Sequence, residues 1–177
     1  MLPAGATGIG STTSPFSVNF TALWTEDHLA RLFAVASRQI RQVVIMALWT
    51  GQRQENCLSM SKKAYDGKTV EVIRQSKSGK RMRIAAGSAL RAMLDSKIDW
   101  NGEATTILTN TRRKPWTADG FRSSWATACK AAGIGAEFGE ENDLHFHDLR
   151  GTAITRLALA GCTVPEIASV PATASRR

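Results

Sequence analysis

The stretch TVEVIRQSKSGKRMRIAA, residues 69–86, limits most sharply what this chain can become. β-Branched residues flank SKSG on both sides, which predicts a two-stranded hairpin with Lys77 near its tip. Elsewhere the apolar residues mostly recur at helical spacing. Thr25 caps a first helix, Glu26 and Asp27 suit the positive end of its dipole, and Leu29, Leu32, Phe33 and Ala36 form its apolar face. A second helix carries Ile40, Val43, Val44, Ala47 and Leu48 and ends at Gly51. Further on, Ser88 is the candidate cap of a helix in SALRAMLDSK, and ATTILTN reads as a short strand. Phe121, Trp125 and Cys129 lie four apart in a helix that ends at Gly133. Leu149, Ala153, Ile154, Leu157 and Ala160 mark another helix. The expected fold is α+β and mainly helical, with a small antiparallel sheet.

A chain of 177 residues has room for one ordinary domain and a tail. Residues 1–20, rich in Gly, Ser, Thr and Ala, read as a disordered arm or interdomain linker, and residues 21–170 as the domain. No apolar run approaches the roughly 18 residues of a membrane span, and the N-terminus has neither the basic nor the apolar part of a secretory signal. A cytoplasmic, nucleoid-associated protein is expected. Cys57, Cys129 and Cys162 are odd in number and widely spaced, which fits reduced, buried thiols better than disulfides or a zinc site.

The net charge of +8 points to a polyanionic partner, most simply double-stranded DNA. Its distribution says more than its size. Between Val72 and Leu94 there is no acid, while Arg74, Lys77, Lys80, Arg81, Arg83 and Arg91 supply bases. Arg112, Arg113 and Lys114 in TRRKPW form a second group, and the two together make one candidate footprint on a phosphate backbone.

Three small motifs carry chemistry. In TGQRQEN, Arg53 comes after the helix-ending Gly51 and falls at the start of the next turn, where free N–H groups and a guanidinium together suit phosphate. Lys77 sits where an ammonium can reach a groove and donate a proton to a leaving oxygen. In HDLR, His147 and Arg150 are three apart, neighbours on one helical face. Taken singly, each has an ordinary structural explanation: a paired arginine, a solvated turn lysine, a chance four-residue match. His145 and His147 lack a third metal ligand at useful spacing, so no metal site is expected.

In this order the motifs resemble the catalytic domain of the tyrosine recombinases, the phage integrase family. The resemblance runs from Leu23 to Val170 through LWTEDHLARL, ALWTGQR, RQSKSGK, RKPWTADGFRSSW, FHDLRGTAITRLALAG and TVPEIASV. It implies that Arg53 and Arg150 hold the scissile phosphate, that Lys77 protonates the departing 5′ oxygen, and that His147 assists an attacking tyrosine. Because the bond energy is kept in a phosphotyrosine ester, neither a metal nor another cofactor is implied. Double-stranded DNA and other recombinase subunits are the implied partners.

The chain departs from the family pattern in several places. Asn56 stands where relatives carry an acid, three residues after the first arginine. TVPE is a capping-box pattern that opens a helix, yet Pro171 interrupts it, and the sequence has no TGHS-like motif or C-terminal tyrosine beyond it. The codons ACC GGC CAC AGC spell Thr-Gly-His-Ser and, read one base later, Pro-Ala-Thr-Ala, the four residues directly after Val170. Residues 171–177 therefore read as an out-of-frame tail on an incomplete catalytic domain. Tyr65 is the one tyrosine, and the Asp-Gly turn after it marks a structural residue. The expectation is an inactive form limited to weak, salt-sensitive DNA binding with little sequence preference. The alternatives are a non-enzymatic helix-turn-helix-like DNA-binding protein built on HDLRGTAITRLALAGCTVPEIASV, and a type IB topoisomerase, which shares the active-site plan.

Overall fold

The computed structural model describes residues 22–73, 81–96, 104–139 and 144–159. Lys77, Arg74, Lys80, Cys162, the arm over 1–20, the TVPE segment and the tail over 171–177 lie outside them. Thr25 opens α1 (Glu26–Val35) with a capping box: its hydroxyl accepts from His28 N, and the His28 ring accepts from Thr25 N. Ser37 caps α2 (Arg38–Thr50), which stops at Gly51 in the left-handed conformation at φ 60°. A short α3 (Gln54–Ser59) comes next, with Arg53 at its N-cap position. Beyond it come β1 (Thr69–Ile73), β2 (Arg81–Ala85), α4 (Ser88–Asp95), α5 (Ala118–Ala131) and α6 (Asp148–Leu159).

β1 and β2 pair antiparallel, Thr69 opposite Ala85 and Ile73 opposite Arg81, so Lys77 is midway in sequence between the last paired residues. Asp66 and Gly67 make the turn before β1: the Asp66 carboxylate accepts from the backbone of Lys68 and Thr69, and Gly67 takes φ 90°.

The core is built around α2, which packs against α3, α4, α5 and α6. Its Ile40, Val43, Val44, Met46 and Ala47 are buried, as the apolar periodicity requires. An aromatic group closes the other side. Trp24, Phe121, Trp125 and Phe146 lie ring against ring at centroid distances from 5.2 to 6.1 Å, mostly tilted or edge-on. Arg31 on α1 donates to the carbonyl of Gly133 at 2.9 Å and so ties α1 to the end of α5. Cys57 and Cys129 are free and buried.

Two local expectations are corrected. ATTILTN forms no strand: Thr106 makes an isolated bridge to Ser61 and Thr109 another to Pro115. Its partner segment turns into a 3-10 helix at Lys62–Ala64 directly after that first bridge, so pairing cannot extend. Ser88 does not cap α4; Gly87 does, without a side-chain hydrogen bond. A Cβ on Gly87 would lie 1.9 Å from the Trp49 ring, which fills the space a capping side chain needs. Because Trp49 is 44% exposed it can swing aside, and Gly87→Ala is expected to cost about 1–2 kcal/mol in chemical denaturation, the usual range for a strained small-to-large change. Trp49 emission should shift in the same variant, and an unchanged spectrum would show that the ring does not block the site.

Candidate active site

Two arginines far apart in sequence converge. Arg53 is exposed where the chain leaves the Gly51 turn, and Arg150 is 2% exposed on the first turns of α6. Helix α6 reaches it because Leu149, Ala153 and Ile154 bury against the core and α2 packs alongside. Burial, and then the positive charge of Arg53, push the Arg150 guanidinium down to about 10. A charge held under these conditions favours an anion that neutralises it. Cys57 lies close enough to feel Arg150 electrostatically, but burial pushes its thiol up to about 12, so it is an inert wall rather than a nucleophile.

The Arg53 turn is braced from behind. Gln52 is 1% exposed; its N–H donates to Thr50 Oγ1 and its Oε1 accepts from Asn56 Nδ2 at 3.0 Å. Asn56 thus supports the neighbour of Arg53. A cleft of about 310 Å³ opens beside α3, lined in part by Gln52, Asn56, Lys63, Glu71 and Arg81. Neither Arg53 nor Arg150 lines it, so this concavity is not where the two arginines meet.

His147 is exposed on the turn leading into α6 rather than within the helix, and its carbonyl accepts from Arg150 N at 3.1 Å. The expected shared helical face is therefore a tighter entry turn, with His147 outward and Arg150 inward. Asp148 fixes that turn by accepting from His145 N at 2.7 Å, and Trp24 Nε1 donates to the His145 carbonyl. Sequence reading missed Trp24, whose own N–H also donates to Thr152 on α6. No local signal marks it, because both partners lie at the opposite end of the chain.

The basic residues separate into two kinds. Arg81 donates to Glu71 at 2.8 Å, Arg83 pairs with Asp66, and Arg91 pairs with Asp95 at 3.7 Å. Those acids lie just outside the acid-free stretch of sequence and return to it through the strand register and the helix turn. Arg112, Arg113 and Lys114 are exposed and make no ion pair among the described residues. Tyr65 donates to Asp95 Oδ1 at 2.8 Å, and its phenol is held above its ordinary value by desolvation and by that carboxylate.

The first turns of α6 bury Leu149 to Ile154. In a helix-turn-helix this would be the first helix of the pair, and the second, in the TVPE segment, lies outside the described residues. Among the described residues no helix is long and apolar enough to cross a membrane.

The same fold recurs in solved structures. A lambda integrase dimer bound to a COC′ core site matches with a TM-score of 0.69 at 23% identity, over 87% of this chain and 58% of that one. XerA recombinase matches with a TM-score of 0.67 at 19% identity, over 86% and 56%. The lambda integrase catalytic core matches with a TM-score of 0.63 at 26% identity, over 78% and 87%. This chain therefore spans little more than half the length of the first two and most of the isolated core. No curated protein matches it in sequence. The model of the phage integrase family matches residues 23–171, and with the six α-helices and two-stranded sheet of the described residues it leads to one conclusion: the chain belongs to the phage integrase family and has the fold of a tyrosine-recombinase catalytic domain.

Proposed function

We propose that this chain supplies the phosphate-holding part of a site for site-specific DNA recombination, and that by itself it binds duplex DNA without cutting it. The observation that carries this reading is the convergence of Arg53 on a buried Arg150 whose charge burial and Arg53 both disfavour. In the reaction, Arg53 and Arg150 grip the scissile phosphate and stabilise its five-coordinate transition state. His147, outward on the entry turn, assists the attacking hydroxyl, and Lys77 protonates the leaving 5′ oxygen. The partners are double-stranded DNA and other recombinase subunits, as in the lambda integrase dimer and tetramer bound to DNA. A DNA-associated protein of the cytoplasm is the setting.

Tyr65 is not the nucleophile. It is the one tyrosine in the sequence, and its hydroxyl is engaged with a carboxylate that opposes phenolate formation. Strand cleavage therefore draws on a tyrosine from outside these residues, and a neighbouring subunit is one source. The exposed bases Arg81, Arg83, Arg112, Arg113 and Lys114, with Arg74 and Lys80, supply the surrounding attraction, weakest where Glu71 and Asp66 already neutralise it.

A duplex titration over a salt series tests the reading. The logarithm of affinity should fall linearly with the logarithm of salt concentration, by roughly 0.9 for each phosphate neutralised, with little dependence on duplex sequence. No denaturant-resistant protein–DNA adduct should form. Salt-independent affinity would remove the electrostatic basis of the reading, and a covalent adduct at Tyr65 would overturn the assignment of that residue.

A further inference from the structure

Among the described residues, Arg113 is the one residue other than glycine with positive φ, at 60°. It closes a tight turn. Arg113 N donates to the Asn110 carbonyl at 2.9 Å, and Asn110 N donates to the Lys114 carbonyl at 2.9 Å. The side-chain oxygen of Asn110 accepts from the backbone of Arg112 and of Lys114, and Thr109 bridges to Pro115 beneath. This is the bulge position of a three-residue hairpin loop, which glycine ordinarily fills because a Cβ is disfavoured there. Every bond that builds the turn comes from the backbone or from Asn110, so the Arg113 side chain contributes nothing to making it.

The turn is also fixed to the core. Trp116 packs edge-on against the buried Phe121 at 5.5 Å, and Thr117 caps α5 immediately after. On such a base the backbone is already ordered, so only the rotamers of the cation's own side chain remain to be fixed when it meets a ligand. Its neighbours Arg112 and Lys114 are equally exposed, and none of the three is neutralised by an acid among the described residues, unlike Arg81 and Arg83.

We propose that Arg113 is a fixed contact to the DNA phosphate backbone outside the Arg53–Arg150 site, and that this contact is why a charged residue occupies a position suited to glycine. The proposal rests on the DNA-binding reading and adds a point that sets how the duplex lies on the domain. The residue positions DNA and takes no part in chemistry.

The test uses the full chain, a mixed-sequence duplex, anisotropy titrations over a salt series, and thermal melts. Arg113→Gly should raise the melting temperature by about 2–4 °C, because the left-handed strain is relieved. The same change should weaken binding several-fold and make the salt slope shallower by about 0.9, one phosphate contact. Arg113→Asn, which also tolerates the conformation, should repeat the loss of slope, and Arg113→Lys should retain it. Lys130→Ala removes an exposed charge at the far end of α5 and should leave the slope unchanged. A wild-type slope in Arg113→Gly would overturn the proposal while leaving DNA binding intact. An equal loss in Lys130→Ala would reduce the effect to net charge and overturn it as well. If the unaltered chain shows no salt-dependent duplex binding, the DNA-binding reading fails and takes the proposal with it.

Discussion

Arg150→Met is expected to raise the thermal midpoint and remove the grip on phosphate in a single change. Arg150 is 2% exposed, and desolvation and Arg53 both disfavour its charge. The sign comes from linkage. The folded-state value is pushed down to about 10 from the ordinary guanidinium range, so the fold disfavours the charge relative to the unfolded chain, with the full cost in stability below about pH 10 and a fading one above it. Across the neutral range the cost is constant. Methionine keeps much of the stem and deletes the charge, and replacing buried charges with apolar groups of similar volume is often stabilising by about 1–4 kcal/mol. The same change removes charge-assisted hydrogen bonds worth about 1.5–3 kcal/mol, so duplex affinity should fall roughly 10- to 100-fold. Melts with and without sulfate separate the two effects: the anion should stabilise the unaltered chain and have little effect on Arg150→Met. A variant that melts lower than the unaltered chain would show that Arg150 serves the fold, and the phosphate assignment would lose its support.

The burial of Arg150 on which this expectation rests is invisible in sequence, where HDLR gives only spacing. Spacing puts His147 and Arg150 within reach of each other but cannot say that one faces solvent and the other the core. The difference comes from α2 packing along α6 and from the turn fixed by Asp148 and Trp24. Local signals were readable where they act locally: Thr25 and Gly51 mark helix ends through bonds and a dihedral angle made within a few residues. Gly87 escaped because its reason is Trp49, a neighbour only in the folded chain. The basic stretch after Val72 looked unopposed for the same reason, since the register sets Glu71 against Arg83 and beside Arg81. Family resemblance compensated for part of this. It orders motifs that are individually weak and implies that Arg53 and Arg150 meet on one phosphate.

Phe146→Ala should be the most destabilising of the substitutions considered, and it should reach the site through the core. Phe146 is 6% exposed and meets Phe121 and Trp125 edge-on, each at 5.2 Å. Truncating such a ring costs about 3–5 kcal/mol, a large part of what a domain of this size holds. The next residue is His147, and the Phe146 carbonyl accepts from Leu149 N at 3.2 Å, so the ring anchors the turn that presents His147 outward and Arg150 inward. Chemical denaturation should show the full loss for Phe146→Ala and a much smaller one for Phe146→Leu, which retains more of the buried volume. At a temperature low enough to keep both variants folded, Phe146→Ala should also bind duplex more weakly than Phe146→Leu. Equal affinities would mean that the Asp148 and Trp24 bonds hold the turn without the ring. Unequal ones would mean that the aromatic core, through the turn that Phe146 anchors, helps to set the positions of His147 and Arg150.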